Sequence, residues 1–297
     1  MASTYMIDRL ISRIRRNTDE PAVKAKFTDD ELIERIEDSC RKILGDLNSV
    51  TDNALVVRHP ISVVKDSTVF LLPPNVEQVR KLVKLNDTTG AVSWDYEPYT
   101  DLRARGPGFC LEGRVLRFDP PWQGSDETLY VWYVPNGDFR LHYGTAARVT
   151  ATSVTLASTP TKGSLDTREN CYAGAILRIV DSTEGLVQER FVTAYDRVGR
   201  IATLDIELSP LPTGTVTYEI VPAYQTHLED VVGWDVAVGL KAMGGDSNRY
   251  WMLGKEQAKA MRGLRLAAKR MNNIVGTAFT QPSGQSTGWT IPAGVTI

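Results

Sequence analysis

The clearest pattern in the chain lies near its end. Tyr250, Leu253, Gln257, Ala260, Leu264, Ala267 and Met271 follow one another at alternating steps of three and four. That spacing lays a narrow stripe along one side of a helix over 248–273, as in a coiled-coil seam. Asp246 or Ser247 is placed to cap its start, because a short side-chain oxygen accepts from the free N–H groups of the first turn. At the other end of the chain Ile7, Leu10, Ile11 and Ile14 share one helical face, ringed by Arg9, Arg13, Arg15 and Arg16, and Pro21 follows. A helix this short needs a partner to bury that face. The next helix is signalled more completely. Thr28 and Glu31 form a capping box, Phe27 is placed to staple to Leu32, and Ile33, Ile36, Cys40, Ile43 and Leu47 recur at helical spacing.

From Asn53 the period becomes that of strands. The β-branched runs 54–57 and 61–64 flank His59-Pro60, and 68–72 is stopped by Pro73-Pro74. A short helical turn is expected over 75–79, then a strand over 81–85, and a hairpin pairing 115–118 with 129–134. Between His142 and Pro222 five short strands, over 154–156, 176–180, 190–194, 202–206 and 217–221, are separated by Gly and Pro. Such spacing predicts a small all-β sandwich or barrel.

The expected fold is therefore α+β. A helical core, built from N-terminal (1–52) and C-terminal (223–273) helices, is interrupted by a β-rich segment (53–141) and an inserted small all-β module (142–222). The remainder, 274–297, is Gly-, Ser- and Thr-rich and reads as an extended tail, although Trp289, Ile291 and Val295 are apolar.

Composition narrows the class. In 297 residues the formal net charge is −2 and apolar residues make up 42%, an ordinary balance for a globular chain. No apolar run approaches the roughly 18–20 residues that span a membrane, and no secretory signal pattern opens the chain. Cys40, Cys110 and Cys171 are widely spaced and odd in number, and read as reduced core residues. The three histidines, His59, His142 and His227, do not stand at metal-ligand spacing, and no nucleophile-elbow, phosphate-loop or zinc-protease motif occurs. The expectation is a protein that is not an enzyme and needs no cofactor or metal. One local charge feature stands out against the near-neutral total. The helix over 248–273 turns Arg249, Lys255, Lys259, Arg262, Arg265, Lys269 and Arg270 away from its apolar stripe, with Glu256 the sole acid among them. A face of this kind is either solvated or meets something acidic.

Several segments carry a likeness in order. They are Phe27-Thr28-Asp29-Asp30-Glu31-Leu32, the turn Leu72-Pro73-Pro74-Asn75, Leu116-Arg117-Phe118-Asp119-Pro120-Pro121, the run 130–135, and Tyr250-Trp251 after a Gly-rich break. In this order the chain resembles the head-to-tail adaptor (connector) proteins of tailed bacteriophages. The segment 144–222 is similar to a β module common in phage virion proteins, through Tyr172-Ala173-Gly174-Ala175-Ile176-Leu177, the run 188–195 and Tyr218-Glu219-Ile220-Val221-Pro222. Its turn Ser182-Thr183-Glu184-Gly185 is poorer in glycine than the module's usual one.

The resemblance implies a structural protein of the virion neck, assembled in the host bacterial cytoplasm. It implies a homo-oligomeric, twelve-fold ring beneath the portal protein that extends the DNA channel and receives tail or nozzle proteins. Ring closure needs two different faces of the subunit. The residues expected to pack subunits together are Ile33, Ile36, Ile43, Tyr250, Leu253, Leu264 and Met271. Lys255, Lys259, Arg262, Arg265 and Lys269 would face channel DNA, without base readout, or an acidic neighbour. Trp289, Ile291 and Val295 would anchor the tail on the portal or an adjacent subunit. Two other classes fit the same residues. One is a tail or baseplate protein with the same β module. The other is a carbohydrate-binding module with Trp94, Trp122 and Trp132 as its stacking platform, which burial of those rings would exclude.

Overall fold

The computed structural model of the chain describes residues 5–20, 26–50, 56–85, 92–96, 108–119, 121–122, 124–183, 185–222, 225–243 and 247–279. Two helices come first, α1 (Met6–Thr18) and α2 (Asp29–Val50). Seven strands follow: β1 (Val57–Val63), β2 (Val69–Leu71), β3 (Val76–Leu85), β4 (Val92–Tyr96), β5 (Gly108–Glu112), β6 (Val115–Asp119) and β7 (Glu127–Pro135). Eight more are β8 (His142–Thr145), β9 (Arg148–Val149), β10 (Ser153–Thr155), β11 (Lys162–Gly163), β12 (Ile176–Asp181), β13 (Val187–Asp196), β14 (Ile201–Leu204) and β15 (Val216–Val221). The last described elements are the helices α3 (Gln225–Met243) and α4 (Ser247–Phe279).

The strands pair antiparallel in three sheets, with orders β1-β7-β3-β4, β2-β6-β5 and β11-β8-β15-β12-β13-β14-β10-β9. The first two face each other across an apolar core. β7 sends Leu129, Val131 and Tyr133 into it on alternate positions, where they meet Phe109, Leu116 and Phe118 from the smaller sheet. The third sheet shares its core with the helices. Ile7, Leu10 and Ile14 of α1, Ile36 and Ile43 of α2 and Val231 of α3 belong to one buried cluster with Leu177, Tyr218 and Ile220 of β12 and β15.

That shared core corrects the expected fold class. The chain is mainly β, with fifteen strands in three sheets against four helices among the described residues. The N- and C-terminal helices do not form a helical core that a β-rich region interrupts. The apolar face of α1 is single and narrow, and it is buried in one cluster with the strands of the third sheet. The strands of 142–222 run in one eight-stranded order, and the segment 142–149 meets both sides of it, bonding to β15 through β8 and Ala146 and to β10 through β9 and Ala147.

Local expectations fail where pairing is non-local. The proposed hairpin of 115–118 with 129–134 does not form. β6 pairs with β2 and β5, whereas β7 pairs with β1 and β3 in another sheet. The helical turn expected at 75–79 is the start of β3. The two runs around His59-Pro60 form one strand, β1. Proline is tolerated there because β1 lies at the edge of its sheet and has one strand neighbour. The helix near the end runs to Phe279, through residues 274–279 that were expected to belong to the tail, and the anchors Trp289, Ile291 and Val295 lie outside the described residues.

The two halves of the molecule are locked by buried polar contacts. Tyr133 Oη donates to the Ala173 carbonyl at 3.1 Å and to Asn75 Oδ1 at 3.4 Å, and Asn75 Nδ2 also donates to the Ala173 carbonyl. The next residue, Gly174, adopts φ +87° against Val57 of β1, where an added Cβ would lie 2.9 Å from a Val57 methyl. Both the left-handed backbone and the close approach require glycine here.

Candidate assembly surface

α3 is the hub of the helical layer. Leu228, Val231, Val232, Val236, Ala237 and Leu240 are all buried, so the helix is apolar around most of its circumference. The other helices pack on it and are held by polar ties. Arg9 and Arg13 of α1 pair with Glu229 and Asp230. Asp235 accepts from Ser39 Oγ at 2.8 Å and Lys42 Nζ at 3.2 Å on α2, and from Gln257 Nε2 at 2.6 Å on α4. A single carboxylate thus ties α2 and α4 to α3. Arg249 adds an ion pair from α4 to Asp19, just beyond the end of α1.

The start of α2 is the capping box expected from its sequence. The Glu31 N–H donates to Thr28 Oγ1 at 3.2 Å, and the Thr28 N–H donates to Glu31 Oε2 at 2.7 Å. Those bonds from Thr28 hold the Glu31 carboxyl below the usual range. α1 is capped differently. The Glu219 carboxylate of β15 accepts from the N–H groups of Met6 at 2.5 Å and Ile7 at 3.4 Å, and pairs with Arg178 at 3.2 Å. Glu219 is fully buried, and the loss of solvent pushes its pKa up to about 7 in spite of these partners.

α2 and α4 carry the expected subunit-packing residues, and most of these face the interior of their own chain. Ile33, Ile36, Ile43 and Leu264 belong to the shared core, and Leu253 is buried as well. Their pattern signals burial that this chain itself supplies. Tyr250 is 40% exposed, and only the backbone of Met271 is described. The basic residues Lys255, Lys259, Arg262 and Arg265 are exposed, and Lys269 is described by backbone alone.

The sequence stripe did not single out the apolar residues just beside it. Trp251 and Met252 are each 70% exposed and Leu266 is also open, on a helix whose other side is packed. Their signal was available, since they are apolar side chains one or two positions off the buried stripe. Trp251 meets Tyr250 edge-on, with centroids 6.4 Å apart. The outer side of α4 thus joins an aromatic end to a basic run.

α2 presents the opposite charge. Asp30, Glu31, Glu34 and Asp38 are exposed along its outer side, followed by Arg41. Arg41 reaches Asp138 at 3.1 Å and lines a cavity of about 440 Å³ with Asp138, Arg140, Asp166 and Arg168. Glu37 is buried and holds one of the lining residues, accepting from Arg140 at 2.7 Å and from the Leu141 N–H at 2.8 Å. Burial raises its pKa, and those two donors oppose the rise.

The carbohydrate platform is not built. Trp122 is buried, with its indole N–H donated to the Ser125 carbonyl at 3.0 Å, and Trp132 is half-buried with Lys81 over its ring. The Trp94 side chain lies outside the described residues. Cys40, Cys110 and Cys171 are buried free thiols. Among the described residues no group of His, Cys, Asp and Glu is placed to hold a metal ion, and no helix is long and apolar enough to cross a membrane. No protein-family model matches the chain, and no curated protein matches it either.

Proposed function

We propose that this chain is a structural virion protein, a head-to-tail adaptor that joins copies of itself in a ring between portal and tail. The ring would extend the DNA channel and provide the platform on which tail proteins attach. One observation supports this reading most. α4 is a 33-residue helix that exposes Trp251, Met252, Lys255, Lys259, Arg262 and Arg265 together. Exposed Trp, Met and Arg are the residues enriched at protein interfaces. The basic run suits either DNA phosphates or an acidic neighbour, and it needs no base readout to let DNA slide. The order of motifs that resembles phage adaptors supports the same reading.

Electron microscopy of the purified protein, alone and mixed with portal-bearing filled heads, tests the proposal. Density in a ring beneath the portal is the expected result. Incorporation lower in the tail would favour a tail or baseplate role, and absence from the particle would overturn both.

A further inference from the structure

The two oppositely charged helix faces match each other in spacing. On α4 the exposed residues Trp251, Lys255, Lys259 and Arg262 lie along one side. On α2, read in the opposite direction, Arg41 beside the cavity is followed by Asp38, Glu34 and Asp30. At about 1.5 Å of rise per residue, the α4 cations stand roughly 6, 12 and 16 Å from Trp251. The α2 acids stand roughly 4, 10 and 16 Å from Arg41 on the same measure. Laid antiparallel, the two series agree to about one residue's rise along their whole length. Neither series is used up inside the chain. Lys255, Lys259, Arg262, Asp30 and Glu34 have no ion-pair partner among the described residues. Asp38 has only Arg41, at 3.5 Å on its own helix.

We propose that α4 of one copy docks antiparallel on α2 of a second copy, with Trp251 entering the cavity beside Arg41 and the basic run meeting the acidic run. The cavity is lined by Arg41, Arg140 and Arg168, which are held by ion pairs to Asp138, Glu37 and Asp166, and a guanidinium held in this way can still take an indole against its plane. The contact joins two different faces of the same chain, so each copy keeps one of each for further neighbours. It deepens the ring reading and rests on it for closure, not for the contact itself. A single pair of helices buries less than the roughly 1,200–2,000 Å² of a stable interface, so the free protein associates weakly and reversibly. The contact also weakens as salt screens it.

Charge reversal tests the proposal. One variant carries Lys255→Glu, Lys259→Glu and Arg262→Glu, and a second carries Asp30→Lys, Glu34→Lys and Asp38→Lys. Sedimentation across a concentration series should show salt-sensitive association of the wild type, at least tenfold weaker in each variant alone. Mixing the two variants should restore it, since each then offers the other a complementary face. Trp251→Ala, a change at an exposed position, should weaken association by a similar factor without lowering Tm. A wild type that stays monomeric, variants that associate like the wild type, or a mixture that does not recover would each overturn the contact. So would DNA binding that is lost in the first variant while association is unchanged, which would assign the basic face to nucleic acid. The adaptor reading fails separately. If the reversed variants still join filled heads normally, the contact is wrong and the adaptor reading stands. If wild type associates through these faces but joins no portal, the reverse holds.

Discussion

Replacing Glu219 with glutamine should change how stability depends on pH more than it changes stability at any one pH. Burial raises the pKa of Glu219 from 4.5 to about 7, although Arg178 and the Met6 and Ile7 N–H groups favour its charged form. Below pH 4.5 the carboxyl is protonated in both the folded and unfolded chain. Between pH 4.5 and about 7 the unfolded chain releases this proton while the folded chain keeps it. Stability from this group is therefore fully present at the acid end and lost as pH rises through about 7. At about 1.4 kcal/mol per pKa unit, the loss over that window is about 3 kcal/mol. His142 works in the opposite sense. Burial lowers its pKa from 6.5 to about 4, so its contribution is lost as pH falls through that range. The two slopes oppose each other, so each is partly masked in the wild type. Glutamine keeps an oxygen for the α1 N–H groups and cannot ionise, so the difference between the proteins isolates Glu219. Urea melts of both proteins from pH 4 to 8 measure it. The expected result is a wild type that loses about 3 kcal/mol relative to Glu219→Gln between acid and neutral pH, then runs parallel to it. Two profiles offset by a constant would refute the reasoning, because Glu219 would then be ionised in the fold throughout.

Thr28→Ala removes the acceptor for the Glu31 N–H and should cost about 1 kcal/mol; an unchanged urea midpoint would show that the cap contributes nothing. Gly174→Ala must adopt φ +87° and place a Cβ 2.9 Å from a Val57 methyl, so a loss of about 2 kcal/mol or more is expected. Thermal melts measure that loss, and an unchanged Tm would mean that the Val57 side of the joint yields freely. Deleting 280–297, which contains Trp289, Ile291 and Val295, should leave Tm unchanged while attachment to filled heads fails. Normal occupancy of the truncated protein would remove the anchoring role from that segment.

What the sequence disclosed was mostly local. Thr28 and Glu31 are three residues apart, so their reciprocal cap could be read directly. The spacing of Ile33, Ile36 and Ile43 marked a face that is buried, but a stripe does not say what buries it. Here the same chain does, with α3 and the third sheet. The hairpin expected of 115–118 and 129–134 assumed that neighbours in sequence pair. Instead, the loop between them crosses from one sheet to another, tied by the Trp122 N–H to the Ser67 carbonyl at 3.0 Å. The cap of α1 was wholly hidden, because its acceptor on Glu219 lies 213 residues away. Of the candidate assembly surface, the basic run was legible as a charge pattern. The exposure of Trp251 and the cavity beside Arg41 required the packed chain.

That distance of 213 residues between Met6 and Glu219 also sets a schedule. A ribosome adding about 5–20 residues per second takes roughly 10–40 s to deliver β15 after α1 has been made. During that time Ile7, Leu10 and Ile14 have neither the sheet nor α3 to cover them, and the first turn of α1 lacks its acceptor. The nascent chain therefore carries a sticky basic–apolar helix until β15 and α3 have emerged to protect it. Production at low temperature or with abundant chaperone should raise the soluble yield more than stabilising the finished fold does.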